Sequence, residues 1–392
     1  MNDIGVAVIG AGMAGRAHAA GYRSATTIAG ASRAGAGPRV RLVTIADLNP
    51  EFARGTANRF GYARADESWQ AVAEADDVHA VSVVVANPLH REIVEALTAA
   101  GKHVLCEKPL APTVADAEAM ADAADRAGVL GRTGFTFRRS PAIAAVRELV
   151  ESGRLGEVLH FSGRYWTDYG CDSDAPISWR YRGGPGSGAL ADIGSHLSDV
   201  AEFLCGPAVS VAGGTLRTWT ADRPVPLGAV VGHAKAAVGA DREPVGNEDY
   251  AAFTAEHASG ASSSLAVSRV ARGHPNSLRF EVFGTKGAAT FDLRRPAEFG
   301  LMDSASGEGY RQVLLGPEHP YITGGLPMDF PSVGLGVNDA FVFQARAFLD
   351  EIAGVDDGLP ACPDFAHGAH NLRVLRAATT SAADGGAAVR ID

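Results

Sequence analysis

The sequence has no apolar run long enough to cross a bilayer, no internal repeat and no extended low-complexity tract, so membrane-spanning and repeat architectures are set aside. Cysteine is scarce. Cys106, Cys171, Cys205 and Cys362 lie far apart and without metal-ligand spacing, which fits reduced, mostly structural thiols in a cytoplasmic protein and gives no reason to expect a metal. A basic excess is also missing. With a net charge of −10 and scattered acidic residues, neither nucleic acid nor an anionic membrane is an expected partner, and a phosphate-bearing ligand has to be held by local geometry. Neither a basic n-region nor a long apolar h-region precedes the first strand-like run, Ile4 to Ile9, so no secretion signal is expected. What is present is chain in quantity. The 392 residues suffice for two or three domains, or for one large domain with an appendage.

One stretch organises the rest: His103-Val104-Leu105-Cys106-Glu107-Lys108-Pro109. An apolar run stopped by a charged pair and a proline reads as a buried strand that delivers Lys108 to its C-terminal end and then turns. Ligands bind at the C-terminal strand ends of open α/β sheets, so a cation there faces cofactor or substrate. A plain surface lysine paired with Glu107 is the alternative, and the isomer of the Lys108–Pro109 bond stays open.

The neighbours of that stretch favour a functional lysine. Residues 4 to 9 run directly into Gly10-Ala11-Gly12-Met13-Ala14-Gly15 and a helical pattern, which is G-x-G-x-x-G in a strand–turn–helix context. Gly10 permits the turn, Gly12 lets a pyrophosphate approach, Gly15 allows close helix packing, and the amides at the helix start, Met13 and Ala14, hold phosphate. After a Gly/Ala/Ser-rich insertion, Ser24 to Gly37, the strand Val40 to Ala46 ends at Asp47. A carboxylate there accepts from ribose hydroxyls and repels a 2′-phosphate, so NAD is expected over NADP. Alternatively, Asp47 only caps the following helix. Further strands are expected at Ala80 to Val85 and Arg132 to Phe137, with helices between, giving a parallel, doubly wound α/β sheet. Asn87-Pro88 follows the β-branched strand and can shape the nicotinamide ribose pocket. His90 reads by position as a helix-start residue.

Beyond about residue 138 the pattern changes to longer strands joined without helices, which predicts a largely antiparallel sheet over 139–392. The segments Thr220 to Arg242 and Leu301 to Gly336 read as loops, and two helices, Asp339 to Ile352 and Phe365 to Ala383, close the chain. Within this half, Gly183 to Gly188 leads into Ala189-Leu190-Ala191-Asp192-Ile193-Gly194-Ser195-His196. Asp192 and His196 are four apart and share a helix face. An imidazole beside a carboxylate suits general-base work, although a dipole partner and a packing histidine would look the same.

With Glu107-Lys108-Pro109 and the Asp192-x-x-x-His196 helix both present, the chain resembles the Gfo/Idh/MocA family of NAD(P)-dependent oxidoreductases. The resemblance covers essentially the whole chain, including the Asn87-Pro88-x-His90 turn. It implies that Lys108, Asp192 and His196 are catalytic, and that Gly10, Gly12, Met13, Ala14, Gly15, Asp47, Asn87, Pro88, His90, Glu107 and Lys108 contact the cofactor. It also implies a homodimer or homotetramer formed through the open C-terminal sheet. The chain looks like the sugar- and polyol-oxidising members, such as levoglucosan and inositol dehydrogenases. Trp166, Asp168, Trp179 and Arg180 are then the expected sugar-binding residues together with Lys108, Asp192 and His196, because aromatic faces and planar polar groups suit a pyranose. Competing readings are a glycoside-cleaving enzyme that keeps NAD bound, and a non-catalytic nucleotide-binding regulator.

Overall fold

A strand covered on both faces reads as a continuous apolar run, and the first such run becomes β1 (Asp3–Ile9), buried at every residue after Asp3. The computed structural model describes residues 3–26, 38–228, 236–303, 305, 307–316, 319–321, 330, 335–355 and 360–392. They form two compact units, Met1–Pro141 with Leu314–His370, and Ala142–Val313 with Asn371–Asp392. In the first unit, β1 is followed by β2 (Arg39–Ala46), β3 (Arg64–Asp66), β4 (Ala80–Val83), β5 (His103–Cys106) and β6 (Gly131–Thr133). The helices between are α1 (Met13–Ala25), α2 (Pro50–Phe60), α3 (Trp69–Glu74), α4 (His90–Ala99) and α5 (Val114–Ala127). All pairings are parallel and the strand order is 3-2-1-4-5-6. That order places the topological switch, where a crevice opens at the C-terminal strand ends, between β1 and β4. The expected strand through Phe137 stops at Thr133. Gly134 turns its N–H onto the Cys106 carbonyl and Thr136–Arg139 forms a 3-10 turn.

The second unit begins with α6 (Pro141–Glu151), which starts on the last residue of the first. Next come β7 (Val158–Trp166), α7 (Ser195–Cys205), β8 (Ala208–Arg217), β9 (Asp222–Pro226), β10 (Val238–Pro244), β11 (Tyr250–His257), β12 (Ser262–Ser268), β13 (Ser277–Gly284), β14 (Ala288–Asp292), β15 (Glu298–Met302) and β16 (Arg311–Leu314). With β17 (Val389–Arg390), all of these strands except β9 and β10 build a nine-stranded sheet ordered 16-15-14-13-7-12-11-8-17, in which β7 and β12 form a parallel pair and the rest of the registered pairs run antiparallel. One face of this sheet is packed: Phe280 stacks on Phe161 at 5.3 Å and lies 5.5 Å from Phe291 between ring centres.

The segment Thr220 to Arg242, expected as a loop, instead carries most of a two-stranded ribbon made by β9 and β10. Its prolines misled: a two-stranded ribbon has free edges, where a missing N–H costs nothing. The ribbon is anchored by Arg223, which is fully buried and donates to the carbonyls of Gly170 (2.7 Å) and Asp172 (2.6 Å). Likewise Leu301 lies inside β15 and residues 311–314 form β16, so the expected second loop is partly sheet. Residues 27–37, 229–235, 304, 306, 317–318, 322–329, 331–334 and 356–359 of these and neighbouring segments lie outside the described residues. The chain then gives α8 (Val337–Ala353) in the first unit, and α9 (Phe365–Ala383). α8 packs on α1 so closely that a Cβ on Gly21 would lie 2.9 Å from the Phe341 carbonyl oxygen. Phe348 and Leu349 thereby join Ile4, Val6, Val8, Tyr22, Ile45 and Leu105 in one core.

Candidate active site

The turn between β1 and α1 is a glycine cradle whose members are glycine for different reasons. Gly10 has φ +100°, and a Cβ there would lie 2.2 Å from the Val84 carbonyl oxygen. A Cβ on Gly15 would come within 1.8 Å of the Gly10 carbonyl oxygen. Gly12 differs: its Cβ would meet no chain atom within 4 Å. Packing does not demand glycine at that position, so a group from outside the chain can approach the backbone. Helix α1 also starts without a side-chain cap, which leaves its first N–H groups available to a phosphate. Beside the cradle stands Asp47, its carboxylate fixed by N–H bonds from Ala11 (2.7 Å) and Asn49 (2.8 Å). These residues fit a dinucleotide: backbone donors for a pyrophosphate and a fixed acceptor for ribose hydroxyls.

Asn87-Pro88-Leu89 forms a 3-10 turn that leads into α4. His90 behind it is fully buried, with its ring nitrogens 3.0 Å from the Leu110 carbonyl and 3.1 Å from that of Val85. Burial holds its pKa below the usual imidazole value. It thus ties the Asn87 turn to the chain just after Lys108 and offers a ligand no surface. The Lys108–Pro109 bond is cis. Glu107 points inward: its carboxylate meets His18 Nε2 at 2.9 Å and accepts from the Lys108 N–H at 3.2 Å. His18 Nδ1 lies 3.0 Å from the Ser82 hydroxyl, which the Tyr22 hydroxyl also meets at 2.9 Å.

In the second unit the helix bearing Asp192 and His196 opens with a wide π turn, Leu190–Gly194, before becoming α7. Both side chains are half-buried. The Tyr169 hydroxyl donates to Asp192 at 2.8 Å. Burial, and then the charge of Asp192, push the Tyr169 phenol well above its ordinary value, so it remains a donor. The Tyr165 ring lies 6.3 Å from that of His196, and its hydroxyl donates to Asn276 at 2.8 Å. Strand alternation sends the next residue, Trp166, to the opposite face of the sheet, where the Arg164 guanidinium covers its ring at 4.3 Å. Trp166 is therefore not brought together with Asp192 and His196. Asp168 is half-buried just beyond β7, and its carbonyl accepts from the Cys171 N–H at 3.0 Å. Trp179 is 46% exposed in a 3-10 turn, with the Arg180 guanidinium 4.4 Å above its ring. Among the described residues no group of three or more His, Cys, Asp or Glu could hold a metal ion.

Residues 4–135 match the family model described as oxidoreductase family, NAD-binding Rossmann fold, and residues 143–290 match the GFO/IDH/MocA C-terminal domain. Levoglucosan dehydrogenase from Pseudarthrobacter phenanthrenivorans is 35% identical over 94% of this chain and 93% of its own length. The chain belongs to the Gfo/Idh/MocA family. Inositol 2-dehydrogenase from Rhizobium meliloti is a further relative, 27% identical over 96% of both chains. A levoglucosan dehydrogenase structure in complex with NADH and levoglucosan superimposes with a TM-score of 0.88, at 32% identity, over 100% of this chain and 99% of that one. This Gfo/Idh/MocA member is thus an NAD-binding oxidoreductase acting on CH–OH groups.

Sequence reading missed three residues around these family motifs. His18 carried a signal: four positions before Tyr22, it lies on the face of α1 that packs on the sheet, where a polar side chain needs a partner. Tyr169 sits in an aperiodic segment, so nothing local marks it as the partner of Asp192. Glu248 reads in the sequence only as the first residue of an expected strand, Glu248 to His257; it lies two residues before β11 and is only 2% exposed.

Proposed function

We propose that the protein oxidises a secondary hydroxyl of a sugar, anhydrosugar or polyol. The observation that carries this reading is the Asp192–His196 pair, a carboxylate held by a permanent phenol donor one turn from an imidazole. NAD, when bound, supplies the hydride acceptor; the backbone at Gly10, Gly12, Met13, Ala14 and Gly15 holds its pyrophosphate, with Asp47 on a ribose and Asn87-Pro88 lining the nicotinamide end. His196 takes the hydroxyl proton. Lys108 donates to the developing alkoxide and its charge stabilises it, while Asp192 orients the substrate or His196. Trp179 and Arg180 contact the ring and its hydroxyls, as does Asp168. Residues 1–138 serve the cofactor and 139–392 the substrate. The open face of the second sheet carries a homodimer or homotetramer, which light scattering would count, and the protein works in the cytoplasm.

The test is absorbance of reduced nicotinamide when the protein meets NAD or NADP with a panel of sugars, anhydrosugars and inositols. A rise with NAD and one sugar class is expected. Tight NAD binding with no rise on any of them, but release of aglycone from aryl glycosides, would replace oxidation with redox-neutral glycoside cleavage.

Cofactor choice rests on Asp47. Its carboxylate repels a 2′-phosphate, and neighbouring Leu48 and Asn49 bring no cation. Asp47→Ala is expected to weaken NAD by about tenfold, the worth of one charge-assisted hydrogen bond, and to narrow the NAD/NADP ratio of kcat/KM. An unchanged ratio would move discrimination to another residue.

A further inference from the structure

The helix that carries Asp192 and His196 does not cap itself. Its opening N–H groups are gathered by one residue remote in sequence: the Glu248 carboxylate accepts from Gly186 (2.7 Å), Gly188 (3.0 Å) and Leu190 (2.9 Å). The Glu248 backbone carbonyl takes the Ala189 N–H as well, at 3.0 Å. The contact is so close that a Cβ on Gly188 would lie 2.3 Å from that carbonyl oxygen. Glu248 stands two residues before β11, which pairs with β8 and β12, and is 2% exposed. From this clamp the chain reaches Asp192 in two residues, and the Asp192 N–H closes the first turn onto Gly188. The turn that follows is the wide one, in which the Ser195 N–H reaches back to Leu190. A π turn is a strained insertion in a helix, and here its first residue, Leu190, is one that the carboxylate grips.

We infer that Glu248 is a positioning residue for the reaction: by holding the amides of Gly186, Gly188, Ala189 and Leu190 it sets the start, and hence the rotation, of the π turn that aims Asp192 and His196. This rests on the catalytic assignment of that pair made above. At 2% exposure Glu248 offers substrate and cofactor almost no surface, so it acts through the turn. Because misplacement of reacting groups by about 1 Å costs on the order of a hundredfold, losing the clamp should act on turnover more than on folding or cofactor binding.

The decisive variants are Glu248→Gln and Glu248→Asp. Glutamine keeps the shape but turns an NH2 group toward backbone donors, so at least one amide loses its acceptor. Relative to the wild type on the sugar it turns over best, E248Q should lose about 10- to 100-fold in kcat, with NAD affinity within about twofold. E248D, which retains a carboxylate, should recover part of the loss. Folded E248Q with kcat within about twofold of wild type would overturn the inference, even if its melting temperature fell, since a merely structural role predicts that pattern. If E248Q does not fold, amide hydrogen exchange on the wild-type protein decides. Slow exchange at Gly186, Gly188, Ala189 and Leu190 supports the clamp, and exchange as fast as at exposed Gly184 removes it. Wild-type protein inactive on every sugar would instead count against the functional reading, while the exchange measurement still reports on Glu248.

Discussion

Lys108→Ala is expected to lower kcat by about 10²- to 10³-fold, the usual worth of one preorganised donor to a developing oxyanion, and to leave NAD affinity within a few fold. β5 is buried through Cys106, and the chain then turns at a cis Lys108–Pro109 bond. Two groups tie this turn: Glu107 on His18, and His90 on the Leu110 carbonyl. Truncation to alanine removes the charge and replaces neither partner of those two bonds. With cofactor affinity assigned above to the cradle and Asp47, the loss is expected to fall on turnover. Steady-state kinetics paired with NAD titration reads both quantities, and a variant with near-normal kcat would remove Lys108 from the chemistry.

His196→Asn should cost about 10²- to 10⁴-fold in kcat, the range for a lost general base. Asparagine fills much of the same space but cannot take up the substrate proton. The variant replaces neither Tyr169 nor Asp192, so the donor and acceptor of their hydrogen bond are both retained. The loss should therefore appear in kcat and kcat/KM alike, with little change in sugar binding measured by calorimetry on the NAD complex. A variant that lost affinity and kept kcat would show His196 to be a binding group, leaving the proton to another acceptor.

How far these sites could be read in the sequence follows from the range of the interactions involved. The cradle is legible because its requirements are local: the close approach of Gly15 to Gly10 and the positive φ of Gly10 are satisfied within one turn. The Asp192–His196 pair is legible for the same reason, as a four-residue spacing. Trp166 shows where such reading fails. Aromatic character suggested a sugar platform, whereas the pleat, with Tyr165 already facing inward, sends Trp166 to the other side. The β9–β10 ribbon was hidden because Pro224 and Pro226 resemble loop residues until Arg223 is seen bonded to carbonyls some fifty positions earlier. Tyr169 and Glu248 were invisible because each acts on a group it meets only after folding.

The buried run His18–Glu107 and His18–Ser82–Tyr22 bears on any effort to retarget this enzyme. The helix that begins at the phosphate turn is also the helix that braces the lysine turn. A library that exchanges the cofactor loop with its joint at Gly15 therefore keeps the native His18 and Tyr22 on the native Ser82 and Glu107. A joint after Ala25 instead sets a foreign helix against the native Ser82 and Glu107, so a gain in nucleotide choice there would be confounded by a disturbed lysine turn unless positions 18 and 22 stay His and Tyr.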